Sequence, residues 1–214
     1  MALASHSAVV IGATGLVGRE ILKQLVARPE FERVTAAIRR PLPDDLQNPK
    51  LQTALIDFER LDERPGVFQA SHVFCAMGTT IKQAGSRERF RQVDFGYPVR
   101  VAELARAAGA RHLLLVSSVG ASPASRAFYL RVKGELEEAI LALGFPSITV
   151  VRPSLLLGDR NEFRLGEAIA ARLAWALPRK YRAVHVRDVA RALVDAAVED
   201  RPGVQIIENP DISA

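Results

Sequence analysis

The chain has 214 residues, 49% of them apolar and 25% charged, which predicts one folded domain over residues 1–214 and excludes a disordered chain. Its 29 Lys and Arg residues outnumber its 24 Asp and Glu residues, and the net charge of +5 suits an anionic ligand. With one tryptophan and three tyrosines, it has few aromatic side chains for stacking on bases, so we do not expect nucleic acid as a partner. The single cysteine, Cys75, excludes an internal disulfide framework and a cysteine-based zinc cluster.

No targeting or membrane pattern is visible in the sequence. The first seven residues lack the basic and apolar regions of a secretory signal. No apolar run approaches the roughly 20 residues that a membrane-spanning helix needs. We therefore expect a cytoplasmic protein without a membrane span.

Short apolar runs alternate along the chain with longer segments of helical periodicity. Apolar strands without a clean two-residue alternation indicate a parallel sheet that helices cover on both faces. The predicted fold class is therefore α/β with a doubly wound parallel sheet, in which ligands bind beyond the carboxyl ends of the strands. The predicted strands are 7–11, 34–38, 52–56, 71–76, 112–117, 147–151 and 204–207, and the predicted helices are 16–28, 90–108, 125–143, 165–177 and 188–199.

A glycine-rich turn follows the first strand, with the spacing Gly12-Ala-Thr-Gly15-Leu-Val-Gly18. Gly12 permits a tight turn, Gly15 lets a pyrophosphate approach the backbone, and Gly18 lets the helix pack close to the sheet. The start of that helix presents free N–H groups and a positive dipole end to the phosphates. The turn predicts a dinucleotide site; the alternative is a tight strand-to-helix turn without a ligand.

The end of the second predicted strand carries two arginines, Arg39 and Arg40, and no acidic residue. An acid at this place would accept a hydrogen bond from a ribose 2′-hydroxyl and repel a 2′-phosphate. A guanidinium group can instead pair with a phosphate or stack on adenine. We therefore expect NADP(H) as the cofactor in preference to NAD(H). The alternative is a solvated charge pair before Pro41.

Residues after the third and fourth predicted strands complete the cofactor side of the site. Asp57 is placed to accept a hydrogen bond from the adenine amino group, with Phe58 beside the ring; the alternative for Asp57 is a cap or loop residue. Small residues from Ala76 to Thr80 follow the fourth strand, where the cofactor should pass. Cys75 is expected in the core, since nothing near it indicates an activated thiolate.

The catalytic candidates are Ser118, Tyr129 and Lys133. Tyr129 and Lys133 are four residues apart, so they share one face of a helix. A nearby ammonium favours the phenolate and would lower the tyrosine pKa from about 10, suiting it to exchange a proton with a carbonyl oxygen. Ser117 and Ser118 end the fifth strand, and Ser118 would orient that oxygen. The alternative is a surface Tyr and Lys at a common spacing; serine hydrolase chemistry lacks its G-x-S-x-G motif.

The combination resembles the short-chain dehydrogenase/reductase superfamily. The resemblance rests on the turn from Gly12 to Gly18, the Ser117-Ser118 strand end and Tyr129-x-x-x-Lys133. The stretches 75–80, 151–154 and 185–190 are similar to its atypical branch, and within it to the Tat-interacting-protein-like NAD(P)H-binding proteins. The resemblance covers nearly the whole chain. It implies a Rossmann fold, a nicotinamide cofactor, Tyr129 as acid/base and Lys133 as its partner.

The resemblance also implies a substrate-pocket or lid segment over residues 153–185, with 153–157 against the nicotinamide. The apolar stripe Leu165, Ile169, Leu173, Trp175 and Leu177 favours core or subunit contact, as in a homodimer, over a specific substrate box. Basic residues of this region favour solvated charges over recognition of an anionic substrate; they are Arg160, Arg164, Arg179, Lys180 and Arg182. The complete predicted cofactor set is Gly12, Thr14, Gly15, Leu16, Val17, Gly18, Arg39, Arg40, Asp57, Phe58, Ala76, Met77, Gly78, Thr79, Tyr129, Lys133, Pro153 and Ser154.

Three further positions bear on the chemistry. Asp94 stands where many active members of the superfamily carry Asn, so the proton relay of those members is not implied here, whereas the Tyr–Lys pair is. Asp188 is predicted to be the N-cap of the last helix rather than a catalytic acid. The four histidines, His6, His72, His112 and His185, show no paired metal-ligand spacing, so no metal site is expected.

These observations predict an NADP(H)-dependent oxidoreductase that acts on a carbonyl or alcohol of a small molecule. The alternative is an NADP(H)-sensing regulator without turnover, which Asp94 and the small lid region favour and the retained Tyr129 and Lys133 oppose. An epimerase or dehydratase with tightly held NAD is disfavoured by Arg39 and Arg40.

Overall fold

The computed structural model describes residues 5–42, 46–158 and 178–212. Within these ranges the strands are β1 (His6–Ile11), β2 (Phe31–Ile38), β3 (Leu51–Leu55), β4 (His72–Cys75), β5 (His112–Val116), β6 (Ser147–Arg152), β7 (Leu156–Leu157), β8 (Val184–His185) and β9 (Gly203–Glu208). Seven of them form one parallel sheet in the order β3-β2-β1-β4-β5-β6-β9. Strands β7 and β8 pair separately.

Helices cover both faces of this sheet. The helical elements are α1 (Leu16–Ala27), α2 (Ile81–Ala84), α3 (Arg87–Arg91), a π-helical segment (Gln92–Gly96), α4 (Tyr97–Ala107), α5 (Phe128–Ala142) and α6 (Val186–Glu199). Helices α1 and α6 share one apolar core with alternate residues of β1, and α4 and α5 share the other. The α/β, doubly wound, Rossmann-like fold predicted from the sequence is therefore confirmed.

All seven predicted strands and four of the five predicted helices have counterparts in the described residues, with some ends shifted. The long helix predicted over 90–108 is interrupted by the π-helical segment, in which the Tyr97 N–H donates to the Gln92 carbonyl. Pro98 has no N–H and so cannot donate to the Asp94 carbonyl four residues earlier, which accounts for a change of register at this point. Helix α5 begins at Phe128 rather than 125. The helix predicted over 165–177 lies outside the described residues, as does most of the predicted lid segment.

The predicted N-cap of the last helix is wrong. Helix α6 begins at Val186, and its N-cap is His185, whose Nδ1 accepts a hydrogen bond from the Arg187 N–H at 3.1 Å. Asp188 lies within the first turn, where it pairs with Arg191 at 3.2 Å. The imidazole nitrogen of His185 is therefore the capping acceptor, in place of the Asp188 carboxylate that was predicted. Among the described helices, none is long and apolar enough to span a bilayer.

The amino-terminal ends of the strands bring together three histidines that are distant in sequence. His6, His72 and His112 stand near the starts of β1, β4 and β5, and the ligand atoms of His6, His72 and Asp200 lie within 4.8 Å of one another. The linear spacing of the histidines could not show this cluster. Arg111 adds a positive charge to this cluster. Its guanidinium lies 2.6 Å from the Asp200 carboxylate and 3.1 Å from His6 Nδ1.

Candidate cofactor and active site

The turn after β1 has the close contacts for which its glycines were singled out. Gly12 adopts a φ of +77°, in the left-handed region that favours glycine. A Cβ atom there would collide with the backbone of Ala76 after β4. A Cβ atom on Gly18 would collide with the carbonyl of Gly12. Side chains are thus excluded where the turn approaches β4 and where α1 begins against the turn.

The first turn of α1 is free of competing acceptors. Gly15 is its N-cap, no side chain caps the helix, and no acidic residue stands in the first turn. The Gly15 N–H donates to the Gly12 carbonyl at 2.9 Å, which closes the loop before the helix. A helix start of this kind carries unsatisfied N–H groups and a positive dipole end, so it suits a diphosphate.

A cleft of about 710 Å³ opens at the carboxyl ends of β1, β2 and β4. Four arginines, Arg19, Arg39, Arg40 and Arg89, line it together with the glycine turn, and this concentrates positive charge there. Its lining residues are Gly12, Ala13, Thr14, Gly15, Arg19, Ala37, Ile38, Arg39, Arg40, Pro41, Phe58, Ala76, Met77, Gly78, Thr79, Gln83, Ala84, Arg89, Val93 and Tyr97.

The cleft gathers a large part of the predicted cofactor set. The predicted residues that line it are Gly12, Thr14, Gly15, Arg39, Arg40, Phe58, Ala76, Met77, Gly78 and Thr79. The predicted residues outside its lining are Leu16, Val17, Gly18, Asp57, Tyr129, Lys133, Pro153 and Ser154. Val17 and Gly18 are buried on the sheet side of α1, so they shape the turn from behind.

Asp57 adopts the alternative that the sequence analysis left open. It is exposed, and its Oδ1 accepts a hydrogen bond from the Glu59 N–H at 2.9 Å, which caps the turn after β3. Phe58 is buried, with its ring centroid 5.4 Å from that of Tyr97. Phe58 therefore forms part of the cleft wall, while Asp57 lies outside the cleft lining.

Several cleft residues were missed by the sequence analysis. Arg19 directly follows Gly18, and its place in the first turns of α1 was a usable signal. Arg89 and Tyr97 come from the helices after β4; Arg89 contacts Glu59 at 2.6 Å and the Tyr97 hydroxyl at 2.9 Å. No local pattern marks these two residues, because only the packing of the helix brings them to the cleft.

The two serines at the end of β5 have different surroundings. Ser117 is buried, and its hydroxyl donates to the carboxylate of Glu137 on α5. Ser118 is half-buried, and its hydroxyl has a long contact of 3.5 Å to the Val119 carbonyl. Ser117 is thus committed to a structural contact, whereas the role predicted for Ser118 stays a prediction.

Helix α5 is held close to the loop that follows Ser118. A Cβ atom on Gly134 would collide with the backbone of Ser122, and the Ser122 N–H donates to the Leu130 carbonyl at 3.1 Å. These contacts fix the helix start that carries Tyr129, a residue that is 37% exposed.

Lys133 is almost fully buried and is held by a carboxylate. Its exposure is 4%, and its Nζ lies 2.8 Å from Oδ1 of the equally buried Asp94. Burial by itself lowers the pKa of Lys133, but the Asp94 carboxylate and the Tyr129 phenol outweigh burial and raise it above its usual value. The lysine is therefore an ammonium ion at neutral pH.

The end of β6 lies beside Ser118. The Val119 N–H donates to the carbonyl of the buried Pro153 at 2.9 Å. Ser154 is anchored by the C-terminal part of the chain: its N–H donates to Asn209 Oδ1 at 2.7 Å and its hydroxyl to the Tyr181 carbonyl at 3.0 Å. Both polar groups of Ser154 thus have structural partners.

Cys75 is part of the core at the end of β4, as expected. Complete burial raises the pKa of its thiol to about 11, although the Lys133 ammonium acts in the opposite direction. A thiol of this kind is protonated at neutral pH and does not act as a nucleophile.

Comparisons with known proteins agree with this geometry. A profile of the NAD(P)H-binding family matches residues 12–200. Protein HTATIP2 of Rattus norvegicus is 38% identical, over 97% of this chain and 88% of its own length. A protein of Scheffersomyces stipitis named FMP52-1, mitochondrial, is 41% identical over 72% of this chain and 69% of its own length.

Solved structures with the same fold are more distant in sequence. MoeE5 in complex with UDP-glucose and NAD has a TM-score of 0.71 at 21% identity, over 94% of this chain and 76% of its own. The Bordetella bronchiseptica enzyme WbmH in complex with NAD⁺ has a TM-score of 0.73 at 16% identity, over 95% of this chain and 76% of its own. At these identities the likeness concerns the fold.

Proposed function

Because this chain belongs to the NAD(P)H-binding family, we propose that it is an NADP(H)-dependent oxidoreductase of the short-chain dehydrogenase/reductase type. Its substrate would be a small molecule with a carbonyl or alcohol group. The observation that carries the proposal is the cleft, which joins the uncapped start of α1 and four arginines to a wall formed by Gly78. Behind that wall lie Asp94 and Lys133, within 4 Å of where a Gly78 Cβ would stand.

The residues of the cleft fit a dinucleotide. The turn from Gly12 to Gly15 and the first N–H groups of α1 would hold the diphosphate, because they provide donors and no negative charge. Arg39 and Arg40 would hold a 2′-phosphate at the end of β2, where no acidic residue opposes it. The nicotinamide ring would then supply or accept the hydride.

The protein's own groups would handle the proton. Tyr129 would donate a proton to the carbonyl oxygen in reduction and accept one in alcohol oxidation. The Lys133 ammonium, one helical turn away, favours the phenolate that remains after donation. Ser118, at the end of β5, would hold the substrate oxygen by a hydrogen bond.

Cofactor preference is tested with the double variant Arg39→Ala/Arg40→Ala. By calorimetry we expect the Kd for NADPH to rise about tenfold or more, because two charge-assisted contacts to the 2′-phosphate are lost. The Kd for NADH should change little, and Arg191→Ala on α6, which pairs with Asp188 outside the cleft, should bind both cofactors like the wild type. Equal losses for NADPH and NADH would contradict the assigned role.

Turnover is tested with Tyr129→Phe, followed as NADPH consumption with a panel of aldehydes and ketones. We expect the rate to fall at least about 100-fold while the Kd for NADPH stays within twofold, since only the proton donor is removed. The control is Arg191→Ala on α6, outside the cleft lining, which should turn over like the wild type. Undiminished turnover in Tyr129→Phe would disprove its role. Binding of NADPH by the wild type without consumption across the panel would favour the regulator alternative.

A further inference from the structure

A buried ion pair lies behind the wall of the cleft. Asp94 is 0% exposed and Lys133 is 4% exposed, and their charged atoms are 2.8 Å apart. A Cβ atom on Gly78 would stand 3.5 Å from Asp94 Oδ1 and 3.8 Å from Lys133 Nζ. Gly78, which has no side chain, therefore stands between the ion pair and the cleft.

Asp94 ties three parts of the site together. Its second oxygen, Oδ2, accepts a hydrogen bond from the Thr79 N–H at 2.8 Å. One carboxylate therefore connects the loop after β4, the π-helical segment and α5. Asp94 itself belongs to the π-helical segment, and such local widenings of a helix often occur at functional sites.

We propose that Asp94 is a positioning residue that fixes Lys133 beside the cleft and keeps it an ammonium ion there, so that it can act on Tyr129. The proposal rests on the proposed function, in which Lys133 assists Tyr129. It assigns to the carboxylate a task that the Asn of many superfamily members cannot perform, because an amide carries no charge to offset the ammonium.

Three titratable groups in the described part of the chain act on the charge of Lys133. They are Asp94 from the π-helical segment, Tyr129 from α5, which also carries Lys133, and Cys75 from β4. Cys75 is a protonated thiol, so Asp94 carries the opposing charge. Burial opposes the charge of Lys133, so without Asp94 the lysine would lose its proton. Asp94 thus secures both the position of Lys133 and the ammonium charge that favours a phenolate at Tyr129.

The test is an ultraviolet titration of tyrosine ionisation, which needs neither substrate nor turnover. The chain has three tyrosines, so the difference between a protein and its Tyr129→Phe counterpart isolates the transition of Tyr129. Two neutral replacements, Asp94→Asn and Asp94→Ser, are compared with the wild type. The matched control is Glu135→Gln, because Glu135 of α5 also forms an ion pair, with Arg91 of α3 just before the π-helical segment, but at the surface.

We expect the Tyr129 transition to move to higher pH by about one unit in both Asp94 variants, a roughly tenfold change in the ionisation constant, because a buried Lys133 without its counter-charge loses its proton and no longer attracts the phenolate. Glu135→Gln should leave the transition in place. A transition that stays unchanged or moves to lower pH in the folded Asp94 variants would overturn the proposal. Failure of the oxidoreductase function is separately visible as absent NADPH consumption by the wild type, since the titration is independent of turnover.

Discussion

At the scale of single residues, Gly18 shows why the cofactor turn depends on glycine. It lies inside α1, where a glycine is otherwise less favourable than an alanine by about 1 kcal/mol. The carbonyl of Gly12 occupies the space that a Cβ would need. The helix can therefore start close to the turn only when residue 18 has no side chain.

Replacement of Gly18 by Ala is expected to lower the free energy of unfolding by roughly 1–3 kcal/mol, because the new methyl group forces the turn away from the helix. Urea unfolding measures this change. Gly66→Ala is the control, since nothing lies within 4 Å of a Cβ at that position, and it should change stability by less than about 0.5 kcal/mol. A Gly18→Ala protein as stable as the wild type would refute the close approach.

At the scale of elements, a buried carboxylate joins α5 to the sheet. Glu137 is buried and accepts hydrogen bonds from Ser117 and from Arg152 of β6, at 2.6 Å for the closer guanidinium nitrogen. Arg152 also contacts Glu208 of β9 at 2.8 Å. Hydrogen bonding to Glu137 raises the pKa of the arginine, so its charge is secure. The network fixes α5, and with it Tyr129, against strands β5, β6 and β9.

Arg152→Met should therefore lower the free energy of unfolding by about 3–5 kcal/mol, because it leaves the carboxylate of Glu137 buried without its counter-charge. Chemical denaturation is the measurement. Arg201→Met removes an arginine from an exposed pair with Glu199 and should cost less than about 1 kcal/mol. Equal effects of the two substitutions would show that the Glu137 pair contributes no more than a surface contact.

At the scale of the whole molecule, the two ends of the sheet differ in character. The cleft lies at the carboxyl ends of the strands. The amino-terminal ends hold the cluster of His6, His72 and His112 beside Asp200. Burial lowers the pKa of His72 to about 3, although the Asp200 carboxylate acts in the opposite direction. Burial also lowers the pKa of His6 and of His112. These imidazoles are neutral in the folded protein at neutral pH.

This cluster predicts a loss of stability in acid. His72 gains a proton near pH 6.5 when unfolded but only near pH 3 when folded, so protonation favours the unfolded chain below pH 6.5. His72 alone should reduce the free energy of unfolding by roughly 2–3 kcal/mol between pH 7 and pH 4.5. Denaturation at a series of pH values should give a shallower dependence for His72→Gln. A wild-type slope in His72→Gln would contradict the prediction.

The family and fold predicted from the sequence are confirmed because their signals are local. Each strand is a short apolar run, and the turn from Gly12 to Gly18 combines tight geometry with a helix start in seven consecutive residues. The roles of Ser118, Tyr129 and Lys133, the preference for NADP(H), the cytoplasmic location, the division into domain and lid, and a homodimer stay predictions. None of these follows from the arrangement of the backbone alone.

By itself, the sequence determined the order of strands and helices, the cofactor turn and the candidate pair on α5, since each depends on residues close together in the chain. Only the tertiary structure decided that Asp94 meets Lys133, that Ser117 is committed to Glu137 and that Arg19 joins Arg39 and Arg40. It likewise decided that histidines from three strands share one cluster. The physical reason is that the charge and burial of these groups depend on partners supplied by packing, which no local spacing encodes.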